Sequence, residues 1–180
     1  MGASGKDIVI VGIGETRHGR GLGRTQLALC LDATLAACED AGINPRDING
    51  IVNEAWSTPH LTAAMHANLG LSPHAFVAHS GEYGAGVAST PLLAQMAVAT
   101  GQADIFLCTW AVTMKPGLSP AGGVHAAEPL KANLELPAGF FPQPVYMAAM
   151  TNRYLEQYGV DREKLSSVPI SARKWAARTS

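Results

Sequence analysis

The sequence predicts an α/β domain built on a mostly parallel sheet with helices on both faces. Three observations predict it. Short runs rich in Ile, Val and Phe recur along residues 7–112, longer stretches at helical spacing separate them, and most of those stretches stop at a glycine. The chain has 180 residues, 47% of them hydrophobic and 15% charged, enough to bury one core. Parallel strands need crossover connections, which helices supply and which are right-handed.

The elements follow in order. "DIVIVGIG", residues 7–14, is an apolar run bounded by glycines and reads as a strand buried on both faces. Residues 24–41 place Leu27, Leu31, Leu35 and Cys38 on one helical stripe, with Gly42 as C-cap. A short strand is expected around Ile51, then a helix over 60–69 ended by Gly70. "HAFVAHS" reads as a strand, Gly84 to Thr100 as a buried helix ended by Gly101, and "ADIFLCTWAV" as the next buried strand. Residues 1–113 thus form an α/β core.

Beyond Thr113 the composition changes. Residues 114–144 hold Pro116, Pro120, Pro129, Pro137, Pro142 and Pro144 with glycines between, a loop region expected to have little regular structure and to be either a binding or lid element or a flexible insertion. Residues 145–180 read as helical, with one helix over Val145–Tyr158. Asp161 N-caps the next, which Pro169 kinks or splits.

Composition excludes several functions. A net charge of -1 without a Lys/Arg run argues against nucleic acid and anionic membranes. "IVIVGI" is too short to span a bilayer, and the start lacks the pattern of a signal peptide. Gly2 is not followed by the Ser or Thr that a myristoylation signal needs. Cys30, Cys38 and Cys108, an odd count in apolar segments, fit a reducing, cytoplasmic setting and core positions.

The motifs narrow the chemistry. Gly12 and Gly14 in "GIGETRHGRG" suggest a dinucleotide loop, but the third glycine is misplaced and Glu54 matches the acidic position by type only. A turn after a buried strand explains the pair as well. The histidines His18, His60, His66, His74, His79 and His125 are scattered, and no HExxH, CxxC or GxSxG occurs, so no metal site is expected.

"HSGEYGAG", residues 79–86, is the most informative stretch. It joins an expected strand to an expected helix, and helix amino ends present free N–H groups and a positive dipole end. Gly84 and Gly86 leave the backbone bare for a ligand. Tyr83 offers a phenol that can donate a proton or hydrogen bond to an oxyanion. His79 and Glu82 flank it. The alternative is that Tyr83 plugs the turn, Glu82 faces solvent and His79 is structural.

Taken in order, "IVIVGIGETRHGRG", "LALCLDATLAACEDAGINPRDINGIV", "GEYGAGVASTPLLAQMAVATGQADIFLC" and "YMAAMTNRYLEQYGVDREKLSSVPISARKWAAR" resemble the N-terminal half of the thiolase superfamily. The resemblance is closest to the sterol-carrier-protein-x or lipid-transfer-protein branch, often labelled acetyl-CoA acetyltransferase. It implies two similar α/β halves, a dimer, and acyl-CoA substrates whose carbon–carbon bonds are made or broken. Coenzyme A enters as part of the substrate, and no other cofactor is implied.

In thiolases a cysteine followed by small residues and a glycine begins the central helix. Matching "YGAG" to that pattern places Tyr83 at the nucleophile position as the catalytic candidate, and one residue of slippage places Gly84 there. Thioester formation needs a thiolate, which neither residue supplies. The departure makes the chain similar to steroid side-chain aldolases, which cleave a β-hydroxyacyl-CoA by a retro-aldol step beside a DUF35-type OB-fold partner. His79, Glu82, Gly84 and Gly86 are then the expected substrate-binding residues, and residues 114–144 the expected cover over the substrate.

The C-terminal thiolase half lies outside these residues, so an uncovered apolar face and a homodimer or hetero-oligomer are expected. A non-catalytic scaffold or acyl-CoA-binding subunit is the competing reading.

Overall fold

A computed structural model describes residues 8–19, 21–54, 60–80, 83–113, 128–140 and 143–178, with only the backbone at Glu54, Tyr83, Gly84, Ala85 and Gln143. The chain divides into two units, Met1–Pro116 and Gly117–Ser180.

The first unit carries a parallel sheet of β1 (Gly50–Glu54), β2 (Phe76–Ser80) and β3 (Phe106–Thr109), in the order β2-β1-β3. Asn49 sets the start of β1. Its Oδ1 accepts from the Asp104 and Ile105 amides at 2.9 and 3.0 Å, and its carbonyl accepts from Phe76 N at 2.8 Å. One residue, through its side chain and its backbone carbonyl, therefore aligns all three strand starts. Gly50 follows because a Cβ there would stand 2.3 Å from the Phe106 ring.

Helix α1 (Gln26–Ala41) begins at Thr25, whose hydroxyl accepts from Ala28 N, and ends at Gly42 with φ 67°. Helix α2 spans Leu61–Leu69 and α3 spans Tyr83–Ala99. Helices α1 and α2 cover one face of the sheet. Cys30 and Cys38 from α1, and Leu61, Met65 and Leu69 from α2, pack with Ile51 of β1 and Leu107 of β3. Helix α3 packs against all three strands on the other face, where Cys108 of β3 meets Thr90 of α3. The expected α/β architecture, with a parallel sheet covered on both faces, is present.

Two expectations fail. Residues 8–14 form no strand, and Val9, Val11 and Ile13 are exposed. A strand needs a neighbour that accepts its ladder, and α1 holds this segment instead. A Cβ on Gly12 would sit 2.4 Å from Ala37 O, one on Gly14 would sit 2.1 Å from Ala33 O, and Ile13 N donates to Asp40 Oδ2 at 2.9 Å. The glycine pair that suggested a dinucleotide loop is thus a close crossing of backbone over helix. Cys108, expected in the core, is exposed on its edge strand, whereas Cys30 and Cys38 are buried.

Helix α3 is apolar on every side, the pattern of a helix buried all round. Nevertheless Leu92 and Met96 are exposed on it.

In the second unit, residues 114–127 of the expected loop region lie outside the described residues. Part of the remainder is regular: Lys131–Glu135 winds as a π-helix, with Leu136 N donating to Lys131 O. Helix α4 spans Gln143–Tyr158. Asp161 caps as expected, its carboxylate accepting from Glu163 N, but it opens a 3-10 turn, Arg162–Ser166. Helix α5, Ser167–Ala176, follows, and Pro169 falls in its first turn, where the missing N–H is tolerated.

Candidate active site

Polar side chains gather at the carboxyl ends of the strands, the edge at which open α/β sheets bind ligands. Strand β2 ends at this edge with His79 and Ser80, and α3 opens at Tyr83. Backbone geometry makes Tyr83 and Gly84 the opening residues of α3, whose first-turn N–H groups have no partner within the helix. The Tyr83 side chain and all of Glu82 lie outside the described residues. Gly86 is buried, and its carbonyl accepts from Ser89 Oγ at 2.7 Å. Thr90 likewise bonds its own helix, donating to Val87 O at 2.8 Å.

Strand alternation sorts the end of β2. His79 follows Val77 onto the face of Ile51 and Leu107, and its exposed ring places Nδ1 3.5 Å from Thr62 Oγ1 on α2. Ser80 follows Ala78 onto the opposite face, the one α3 covers. The structure therefore brings Tyr83, Gly84 and Gly86 together on α3 and turns His79 towards α2.

Two residues that sequence reasoning passed over stand out. Ser80 is 5% exposed and its Oγ has no hydrogen-bond partner. Asn53, on β1 between His79 and Thr109, is 1% exposed with both amide atoms unpartnered. Buried polar groups are nearly always paired, so each asks for an explanation. The available signal was a polar residue closing an apolar strand, as in "IVN" and "FVAHS".

Desolvation raises the thiols of Cys30 and Cys108, partly offset by hydrogen bonds to Thr109 and Thr90, and desolvation alone raises Cys38. Among the described residues no three His, Cys, Asp or Glu side chains cluster to hold a metal, and no helix is long and apolar enough to cross a membrane. An open cleft of about 400 Å³ between Leu35, Asn44–Arg46 and Ala67–Gly70 lies at the amino ends of the strands. It holds no acid, base or nucleophile for this chemistry.

No family model matches the chain. It is 32% identical over 176 residues to the steroid side-chain-cleaving aldolase of Thermomonospora curvata, covering 93% of this chain and 44% of that protein. Similarity to the 17-hydroxy-3-oxo-4-pregnene-20-carboxyl-CoA lyase of Mycobacterium tuberculosis is 30% over 177 residues, covering 93% and 45%. An acetyl-CoA acetyltransferase of Methanothermobacter thermautotrophicus is 25% identical over 174 residues, covering 92% and 44%. Among solved structures, the Ltp2-ChsH2(DUF35) aldolase superposes with a TM-score of 0.71 at 34% identity, over 84% of this chain and 38% of that one.

The chain is thiolase-like. It is similar to steroid side-chain aldolases and to acetyl-CoA acetyltransferases, and it spans somewhat under half the length of these relatives. Helix α3 opens with tyrosine and glycine, and the segment 79–86 leading into it holds no cysteine. The segment therefore offers a hydrogen-bond donor and a helix amino end, without an acyl acceptor.

Proposed function

We propose that this thiolase-like chain is part of a carbon–carbon lyase that cleaves β-hydroxyacyl-CoA thioesters by a retro-aldol step, in steroid or lipid side-chain metabolism. One observation carries the reading: the chain aligns along nearly its whole length with an aldolase and a CoA-ester lyase, and the opening of α3 lacks cysteine.

In the reaction a base removes the proton of the β-hydroxyl, and its C–O bond becomes a carbonyl. The bond between the α and β carbons breaks, and its electron pair moves into the thioester as an enolate. A proton then returns to the α carbon, so atoms and charge balance, and a ketone and a shorter acyl-CoA leave. The enolate oxygen is where charge develops, and a preorganised donor and helix amino end stabilise it. Tyr83 supplies the donor in this reading, with Gly84 and Gly86 keeping the approach open and His79 and Glu82 at its margin. Coenzyme A arrives on the substrate and no further cofactor is required.

The likeness to the Ltp2-ChsH2(DUF35) aldolase supports a hetero-oligomer with a DUF35-type OB-fold partner. Exposed Leu92 and Met96 on the apolar α3 fit an assembled protein. A cytoplasmic location accompanies the three free cysteines.

The test is incubation of the protein, with and without a co-expressed OB-fold partner, with a β-hydroxyacyl-CoA bearing a tertiary hydroxyl. Ketone and shortened acyl-CoA are followed by mass spectrometry. Cleavage is expected, and Tyr83→Phe should lower turnover by about 100- to 1,000-fold, the range for an oxyanion donor. Tight acyl-CoA binding without cleavage, even with the partner present, would instead establish a scaffold.

A further inference from the structure

We propose that Ser80 is a substrate contact whose hydroxyl donates a hydrogen bond to the thioester oxygen of an acyl-CoA held at the amino end of α3. The inference rests on the acyl-CoA reading above and adds a residue to it.

Ser80 closes β2 on the face that α3 covers, and the helix begins three residues later at Tyr83. The side chain is 5% exposed, yet its Oγ has no partner. A buried hydroxyl without a partner opposes folding, because water satisfies it in the unfolded chain. The neighbouring hydroxyls avoid that cost: Ser89 bonds Gly86 O and Thr90 bonds Val87 O. Ser80 bonds neither its own strand nor the free N–H groups that a serine before a helix ordinarily caps.

Its hydroxyl is thus a donor left open at the end of the strand that leads into α3, whose first-turn amides have no partner within the helix, and an oxygen acceptor complements both. The thioester carbonyl is such an acceptor, and as the enolate it gains negative charge that a fixed donor favours. Asn53, the other unpartnered side chain, lies on the α2 face and does not converge on this point.

The experiment uses the full protein with its partner. Ser80→Ala should lower kcat/KM for the β-hydroxyacyl-CoA by about 10- to 100-fold, chiefly in kcat, while its melting temperature holds or rises. Ser80→Cys keeps the side-chain volume and should lose activity as well. Unchanged kcat/KM in Ser80→Ala overturns the proposal, as does a marked fall in melting temperature, which would make the hydroxyl structural. Binding separates this from failure of the lyase reading. Acetyl-CoA should bind more tightly than its thioether analogue ethyl-CoA, which lacks the carbonyl oxygen, and Ser80→Ala should erase that preference. A preference that survives the substitution, or none in the parent protein, overturns the role of Ser80 whether or not cleavage is observed.

Discussion

The Thr62 hydroxyl stands 3.5 Å from Nδ1 of His79, tying the end of β2 to the start of α2. The bond is long and the imidazole is exposed, so it contributes little to stability. His79→Ala is expected to change unfolding free energy by less than about 1 kcal/mol. It should also lower turnover far less than Tyr83→Phe, because His79 faces α2. Denaturant unfolding and steady-state kinetics measure both. A loss of turnover equal to that of Tyr83→Phe would return His79 to the chemistry.

The glycines of residues 8–14 make a second prediction. Gly14→Ala places a methyl group 2.1 Å from Ala33 O and 2.3 Å from Ala37 N, so the segment must leave α1. Hydrogen exchange of the Ile13 amide, bonded to Asp40, should accelerate in this variant. NAD should give no saturable fluorescence change with either protein. Saturable NAD binding that Gly14→Ala abolishes would restore the nucleotide reading.

Asn53 makes a third. Its buried amide has no partner, and leucine has a similar shape without the desolvation cost. Asn53→Leu is expected to stabilise the protein by about 1 kcal/mol, or roughly 2–4 °C in melting temperature for a chain of this size. A loss of more than about 1 kcal/mol would show that the amide is satisfied in solution, for instance by an ordered water.

Tyr146 gives the pH dependence. Its hydroxyl donates to Glu135 Oε2, Lys131 Nζ lies 5.5 Å from the ring centroid, and Phe140 meets the ring edge-on at 4.7 Å. Desolvation first, then the hydrogen bond and charge of Glu135, push the phenol up to about 12. An unfolded tyrosine titrates near about 10. The folded state thus favours the neutral phenol. Its contribution is complete below pH about 10 and disappears as pH rises through about 12. Helicity followed by circular dichroism should fall less over that window in Tyr146→Phe than in the parent protein. Superimposable alkaline profiles would exclude the Tyr146–Glu135 bond as their cause.

Local chemistry made much of the fold legible. Gly42 and Gly70 stop α1 and α2 in the left-handed conformation, and Asp161 caps where its carboxylate reaches a free amide. Short range suffices for those features. "DIVIVGIG" was misread because apolar composition reports a demand for burial, and burial as a strand depends on a pairing partner distant in sequence. The site divides the same way. That the segment opening α3 holds tyrosine and glycine and no cysteine stood in the sequence alone. Which of His79 and Ser80 faces α3 did not, because strand alternation assigns opposite faces to neighbours but leaves open which helix covers which face. Three-dimensional packing made that choice, and it turned the histidine towards α2 and left the serine hydroxyl buried and unpartnered beside α3.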